Sequence, residues 1–569
     1  NTSKKLRSSL KIEYVILFLV LIFALVIRLT GIGKGLPYLH HYDEPFIASR
    51  ALLMLKESDF NPHWFQYPGL MIYLNMIVDV LHYLYLMGKE ATFTGVQDLI
   101  IDNPTMVQKG GFIWTISHPS FFLWNRGLVA LMGTVCIYFT YLIGKKYTDS
   151  FVFGLIAAAL LAFSSTMIEH SRYITPNLSG VLFVLAAVYY AMQFNADKRN
   201  HYLLLSLIFS GLAISTKYNF ALCLIAPLLS YWMNSKKFKI DVISGSVVCV
   251  AIGVIVFFII NPFTIIDLDQ FLADMGKQVK HYKSGHGSHT IEPGFTHFKF
   301  QINQFTNDFG EILMITSLIG LIITIKKKNG WILLSFAAVY MLYMSRQKVD
   351  FHRNFLVIYP FIAIWIAVSI QSITQYIEGL NHEISASINS RITQLLVKNV
   401  FIIIIGLMIS YDAVAELKKA QKLSKHIETR TKVIDYLNNY KRSNVKVAFA
   451  KELRMHRQDL LKLNLSYAII DHMDFKNRSS EFDLFVSGKF GSGNKNNKNL
   501  RKKDSIYNAE YSNKSKIKTI KGRTINLKRF HKDPTIFVYQ GAPLAPDMVS
   551  ANSINGWYIS SHHPENTGH

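Results

Sequence analysis

Cysteine is nearly missing from this chain: Cys136, Cys223 and Cys249 are the only three in 569 residues, and each lies within an apolar run. Three such thiols give neither a disulfide framework nor a metal-ligand set, and they act as small hydrophobes. Charge is scarce as well. Only 17% of residues are charged while 50% are hydrophobic, and the mean hydropathy is positive, which argues against a water-soluble globule of this size. Acidic residues are the scarcer sign, 37 against 61 Lys and Arg, which leaves a formal charge of +24. That surplus invites a nucleic-acid reading for the Lys-rich stretch 495–528. It lacks aromatic interleaving and any known binding motif, so a basic surface held near anionic lipid is favoured and no nucleic-acid partner is expected. No small-residue cleavage site follows Arg28-Leu29-Thr30, so the basic opening Lys4-Lys5-Leu6-Arg7 and the apolar run behind it are expected to be an uncleaved signal anchor.

What the chain does have is a series of apolar runs, each near the roughly 20 residues that cross a bilayer. Beyond about Asp412 the character changes to charged and Asn-rich, with short apolar stretches only. The expected division is a membrane module at 1–415 and a polar domain at 416–569. Tight basic connectors at Lys145-Lys146, Lys198-Arg199, Lys236-Lys237 and Lys326-Lys327-Lys328 mark one side, which the positive-inside rule makes cytoplasmic together with the N-terminus. Counting 69–87 as a span would put every later basic connector outside. Parity therefore reads that segment, with its Asp79 and His82, as an amphipathic helix in the outer interface, and 44–56 as another. The expected spans are 13–30, 125–144, 151–168, 176–194, 202–216, 218–233, 241–260, 309–325, 330–345, 354–372 and 398–414. Large outer loops are expected at 31–124 and 261–308.

The fold class is thus an all-α polytopic membrane module of about 11 transmembrane helices plus interfacial helices, followed by a small C-terminal α/β domain on the extracytoplasmic side. In that domain a helix is expected at 424–440 and strands near 445–450, 467–471, 482–486 and 535–539, with a low-complexity loop at 488–503 and a poorly ordered tail after Gly541. The implied location is a bacterial plasma membrane.

Polar residues gather at the outer ends of these spans. Asp43-Glu44 follows the first, Glu169 to Tyr173 ends the third, Asn177 opens the fourth, and Thr216-Lys217-Tyr218-Asn219 joins the fifth and sixth. Arg346 to Arg353 lies between the ninth and tenth. Ionisable groups at membrane depth usually face a protein-lined cavity. Lys217 interrupts an apolar stretch and suits a phosphate as a point charge, although capping a helical hairpin and snorkelling to water would also account for it. Arg172 and Arg353 could add bidentate contacts to the same phosphate. His281, His286 and His289 are the tightest histidine cluster, and His286 and His289 could ligate Zn²⁺, although metal-free loop histidines are commoner. A divalent cation at Glu44 is a further option, which chelation would test.

The loop Tyr42 to Leu70, His170-Ser171-Arg172-Tyr173 with Thr175-Pro176, Ser215 to Asn219, and Arg353-Asn354-Phe355-Leu356 through Tyr359-Pro360 together resemble the GT-C glycosyltransferases. The resemblance covers about residues 10–370 and is to the branch of protein O-mannosyltransferases and the lipid A aminoarabinose transferase. It implies a polyprenyl-phosphate sugar donor, Asp43 as the base on an acceptor hydroxyl, Glu44 orienting that acceptor, and inversion at the anomeric carbon. It also implies donor-phosphate contacts from Lys217, Arg172 and Arg353, and substrate contacts from Tyr173, Tyr218, Asn219 and Tyr67. Many relatives have an acidic residue where this chain has Asn177. The acceptor class, whether protein, lipid or glycan, stays open. The other readings are a transporter or flippase of lipid-linked sugars, which would need no base at Asp43, and an envelope assembly scaffold working through its C-terminal domain.

Overall fold

The computed structural model describes residues 2–39, 41, 43–88, 118–235, 240–287, 289–384, 413–440, 444–453, 455–470, 478, 481–488, 516–521 and 536–540. The chain divides into two units: residues 1–32, 47–94 and 120–424, and residues 33–46, 95–119 and 425–569. Asp43 and Glu44 therefore belong with the C-terminal sheet, and the division falls at 424/425.

The first unit is helical, as it must be if its apolar runs are to satisfy their backbone groups away from water. In chain order it contains α1 (Thr2–Leu29), most of α2 (Glu44–Glu57), α3 (Leu70–Met87), α4 (Ser120–Thr148), α5 (Phe151–Ala162), α6 (Ser165–His170), α7 (Pro176–Asp197) and α8 (Asn200–Ile214). It continues with α9 (Ile225–Asn234), α10 (Ile240–Ile260), α11 (Leu268–Ser284), α12 (Phe295–Phe309), α13 (Glu311–Lys326), α14 (Gly330–Ser345) and α15 (Tyr359–Ile384). Among the described residues six stretches are long and apolar enough to cross a membrane, and seven if α12 and α13, bent by 118°, count as one. Helix is present at each of the first ten expected spans, and the eleventh, 398–414, lies outside the described residues except for Ala413 and Val414. Several of these helices are shorter than expected because the chain breaks near one end. The expected span 151–168 stops at Phe163 and restarts as α6, while α9 and α15 are entered through 3₁₀ turns at Tyr218–Leu224 and His352–Ile358. Breaks of this kind are tolerated at membrane depth where protein covers the freed backbone.

Helix α3 forms where an amphipathic helix was expected. Its Asn75, Asp79, His82 and Leu86 form one stripe, buried against α4, while Ile77, Val80, Leu81 and Leu84 are exposed. Asn125 Nδ2 donates to Asp79 Oδ1 at 2.6 Å, and His82 meets Ser120 Oγ at 2.6 Å and stacks on Trp124. The polar residues that suggested an interfacial helix are its protein-facing side, and by length and apolarity it qualifies as a span.

Several close contacts depend on glycines, Gly320 and Gly180 among them. A Cβ at Gly320 would overlap the Trp365 carbonyl across the α13–α15 interface, and one at Gly180 would overlap the Phe220 ring against α7.

The second unit has a five-stranded sheet of order β2-β1-β3-β5-β4, made of β1 (Lys446–Ala450), β2 (Ser466–Ile470), β3 (Leu484–Gly488), β4 (Lys516–Ile520) and β5 (Ile536–Gln540). β1 runs parallel to β2 and β3, and β5 is antiparallel to β3 and β4. Helix α16 (Thr429–Asn438) packs Val433, Ile434 and Leu437 into the same apolar core as Phe449 and Phe485. Tyr38 joins this unit: its hydroxyl accepts from His456 N at 3.2 Å, and its ring lies under Arg430, which is buried and ion-paired with Glu428.

Candidate active site

The end of α8 shows how the chain turns a lysine inward. Ser215 Oγ and Thr216 Oγ1 donate to the Gly211 and Ala213 carbonyls, satisfying the last turn of the helix. Lys217 then becomes extended (φ −157°, ψ 126°) before the 3₁₀ turn begins. Its side chain is 6% exposed, and Nζ donates to Asn177 Oδ1 at 3.2 Å and Asn354 Oδ1 at 2.6 Å. Three helix entries meet at this ammonium: α7 through Asn177, the 3₁₀ turn after α8, and the 3₁₀ turn before α15. The amide oxygens orient the ammonium without cancelling its charge, as a carboxylate at Asn177 would.

Around it a second layer fixes geometry. The Asn354 carbonyl accepts from Tyr340 Oη at 2.8 Å, and Asn219 Nδ2 donates to that hydroxyl at 3.2 Å. Tyr340 lies inside an apolar run and carries no sequence signal beyond its residue type. The loop between α2 and α3 is tied to the same place. Tyr218 Oη donates to the Phe65 carbonyl at 2.7 Å, Leu70 N to the Ser215 carbonyl at 3.1 Å, and Gly69 N to Asn261 Oδ1 at 2.6 Å. Asn261 Nδ2 in turn donates to Ser215 Oγ at 3.0 Å. Tyr67 lies within this tethered loop, edge-on to Trp64. Arg50 covers the Trp64 ring at 4.2 Å; burial lowers its guanidinium to about 9, against the opposing pull of Asp274. Asp274 Oδ2 also accepts from Phe65 N at 2.8 Å. Sequence reasoning missed Asp274, whose only signal was an acidic residue on the inner face of amphipathic α11.

The two arginines differ. Arg172 is buried and donates from Nη2 to the Ile27 carbonyl at 2.7 Å and from Nε to the Arg28 carbonyl at 3.3 Å. These are last-turn carbonyls of α1, which leave the helix unsatisfied and draw cations. Arg126 Nη1 donates to the carbonyl of Ile32, in the turn beyond α1, at 2.7 Å. Arg353 is half-buried and stacks on Phe351 at 3.9 Å. The same ring meets His286 at 5.3 Å and His289 at 5.0 Å, so Arg353 and the histidine loop converge there. His289 Nδ1 lies 3.3 Å from Asp350. Among the described residues no group of three or more His, Cys, Asp or Glu is placed to share a metal ion. Tyr173 is nearly buried and its hydroxyl reaches Glu169 at 3.4 Å.

In the second unit, Asp43 immediately precedes α2, Glu44 opens it fully buried, and Pro45 fills its first turn. An acidic residue, then a first-turn proline, is also how many helices start.

Residues 125–266 match the family model of dolichyl-phosphate-mannose-protein mannosyltransferases. That segment contains Arg172, Asn177, Lys217 and Asn219. No curated protein matches the chain. Among solved structures, ArnT from Cupriavidus metallidurans in the apo state covers 92% of this chain and 97% of its own, with a TM-score of 0.50 and 12% identity. ArnT from the same organism bound to undecaprenyl phosphate covers the same shares at 0.49 and 12%. The S. cerevisiae protein O-mannosyltransferase Pmt1-Pmt2 complex bound to the sugar donor covers 46% of this chain and 34% of its own, at 0.32 and 20%. Spanning helices with broken ends, a C-terminal sheet, the mannosyltransferase segment and the fold shared with ArnT make this chain an integral membrane protein of the GT-C glycosyltransferase fold.

Proposed function

We propose that the protein is a glycosyltransferase that moves a sugar from a polyprenyl-phosphate donor to an acceptor hydroxyl on the extracytoplasmic face, with inversion. The observation that carries this reading is the buried ammonium of Lys217, a residue of the segment that matches the mannosyltransferase family, held by the amide oxygens of Asn177 and Asn354. A fixed cation in a poorly solvated place stabilises charge as it develops on a leaving phosphate, a term worth several kcal/mol in related chemistry. The ArnT of similar fold has been solved with undecaprenyl phosphate, which agrees with a lipid-phosphate ligand.

In the proposed step the acceptor oxygen forms a bond to the anomeric carbon while the bond from that carbon to the phosphate oxygen breaks. The electron pair leaves on the polyprenyl phosphate, beside Lys217 and, from the next helix break, Arg353. The acceptor proton passes to the Asp43 carboxylate, with Glu44 orienting the acceptor; these two roles rest on the sequence resemblance. Arg172 supports the site by holding the end of α1. Tyr67, Tyr218 and Asn219 are the substrate-side polar groups, and His286 and His289 are candidates for a divalent cation that a substrate group would complete.

The test is to incubate purified full-length protein with a panel of polyprenyl-phosphate hexoses and pentoses and to measure release of free polyprenyl phosphate. Release with one donor class supports the proposal and names the sugar. No release with any donor, while the protein moves the intact lipids between vesicle leaflets, would overturn it in favour of a flippase.

A further inference from the structure

A cavity of about 500 Å³ lies at the opposite end of the first unit from Lys217. Helix α7 connects the two places: Asn177 is in its first turn and Asn195 near its last, 22 residues in all, or about 33 Å of helix, roughly the thickness of a bilayer core. Three connectors form the walls. Lys146 and Asp149 come from the α4–α5 turn, Lys327, Lys328 and Asn329 from the α13–α14 turn, and Asn195 from the end of α7. Met192 and Ile332, both buried, form an apolar floor. Two connectors are tied together, because Asn195 Nδ2 donates to Asn329 Oδ1 at 2.8 Å while Asn234 Nδ2 donates to Asn195 Oδ1 at 3.1 Å. The neighbouring Lys145 is already committed to Glu13, and Lys327 lies over the Tyr147 ring. Three lysines against one aspartate leave the lining with a surplus of positive charge.

The surface beside the cavity indicates what kind of anion would enter. Leu318, Ile322 and Ile325 form an exposed apolar stripe along α13 that ends at Lys326. Trp331, 48% exposed, stands on the other side of the connector, as tryptophans do at the level of lipid headgroups. An acyl chain can lie along the stripe while the phosphate it carries reaches the lysines. A soluble anion would have no use for the stripe.

We propose that this cavity binds the phosphate headgroup of an anionic phospholipid, at the membrane face marked by the basic connectors and apart from the Lys217 site. Lysines that merely mark topology need neither a walled cavity nor the amide tie between connectors.

The test uses purified full-length protein, delipidated in detergent and titrated with phosphatidylglycerol or phosphatidylcholine, with bound lipid counted by native mass spectrometry. Phosphatidylglycerol should be retained in preference. The triple variant K146Q/K327Q/K328Q should lose it by about a hundredfold, given roughly fivefold per cation at an anionic surface. Lys328 is exposed, so K328E alone should fold and must show a loss in the same direction. Equal retention of the two lipids, or undiminished phosphatidylglycerol in both variants, overturns the proposal. Inorganic pyrophosphate displacing phosphatidylglycerol in the wild type but not in K328E would assign the cavity to a soluble phosphate and overturn the lipid assignment.

Discussion

Lys217→Met separates a catalytic cation from a structural one. The substitution keeps most of the side-chain volume and removes the charge, so the apolar packing of the stem survives. The donors lost are those to Asn177 Oδ1 and Asn354 Oδ1, both in buried residues. An unsatisfied buried acceptor costs on the order of 1–3 kcal/mol, but the variant also avoids keeping an ammonium away from water, so the two changes oppose one another. The thermal midpoint should move by no more than a few degrees. Loss of transition-state stabilisation has nothing to offset it. A cation about 4 Å from a phosphate charge, at an effective dielectric constant near 20, is worth about 4 kcal/mol, or about a thousandfold in rate. The assay is release of free polyprenyl phosphate by purified wild type and variant, with unfolding followed in the same detergent. A fall in kcat of between a hundredfold and a thousandfold at nearly constant stability is the expected result. A variant that turns over donor at wild-type rate would refute the reasoning and leave Lys217 as the cap of a helical hairpin.

Asp43→Asn should abolish transfer while the protein accumulates normally in membranes, measured by product formation per immunoblotted protein; full activity would remove Asp43 from the mechanism. Arg172→Ala should act mainly on stability, lowering it by about 2 kcal/mol through two lost charge-assisted hydrogen bonds to α1, and Arg172→Lys should restore part of that in a melting experiment. Gly180→Ala places a methyl group in the Phe220 ring and should destabilise by about 1–3 kcal/mol, lowering activity with it, because the same turn of α7 carries Asn177. Asn261→Ala should weaken donor turnover without touching the phosphate cation, since it frees Gly69 N and Ser215 Oγ together; unchanged KM and kcat would show the tether to be dispensable.

How far the molecule was legible depended on which partner a residue uses. Apolar runs and basic connectors located the helices, because burial in lipid and the charge bias of connectors both act directly on composition. Lys217 and Asn177 stood out as polar residues at ends of apolar runs, Asn354 only as part of a motif of the family resemblance, and the structure brings all three together. Arg172 was read as a phosphate ligand, yet its described hydrogen bonds go to backbone carbonyls, and carbonyls leave no trace in a sequence. Tyr340 was invisible for a different reason. An aromatic residue within an apolar run looks the same whether it faces lipid or a hydrogen-bonded carbonyl. The stripe Asn75, Asp79 and His82 was visible at i, i+4 and i+7, but a stripe of that spacing fits a helix on water as well as one turned inward. Strand β4, Lys-Ile-Lys-Thr-Ile, was hidden by its Lys-rich surroundings and by isoleucines three residues apart, which break the period of two that marks a half-buried strand.

The tether through Asn261 has a consequence for how the protein is made. Gly69 leaves the ribosome early, whereas the two groups that hold its loop in place, the Ser215 carbonyl and Asn261 Oδ1, are synthesised about 150 and 190 residues later. At roughly 5–20 residues per second that is an interval of about ten to forty seconds. Through that time the loop before α3 has no final anchorage. Assembly of the working face is therefore a late event in biogenesis, completed only when the turn carrying Asn354, the other amide on Lys217, is in position. Chains arrested before that point would carry most of the polar groups and none of the arrangement.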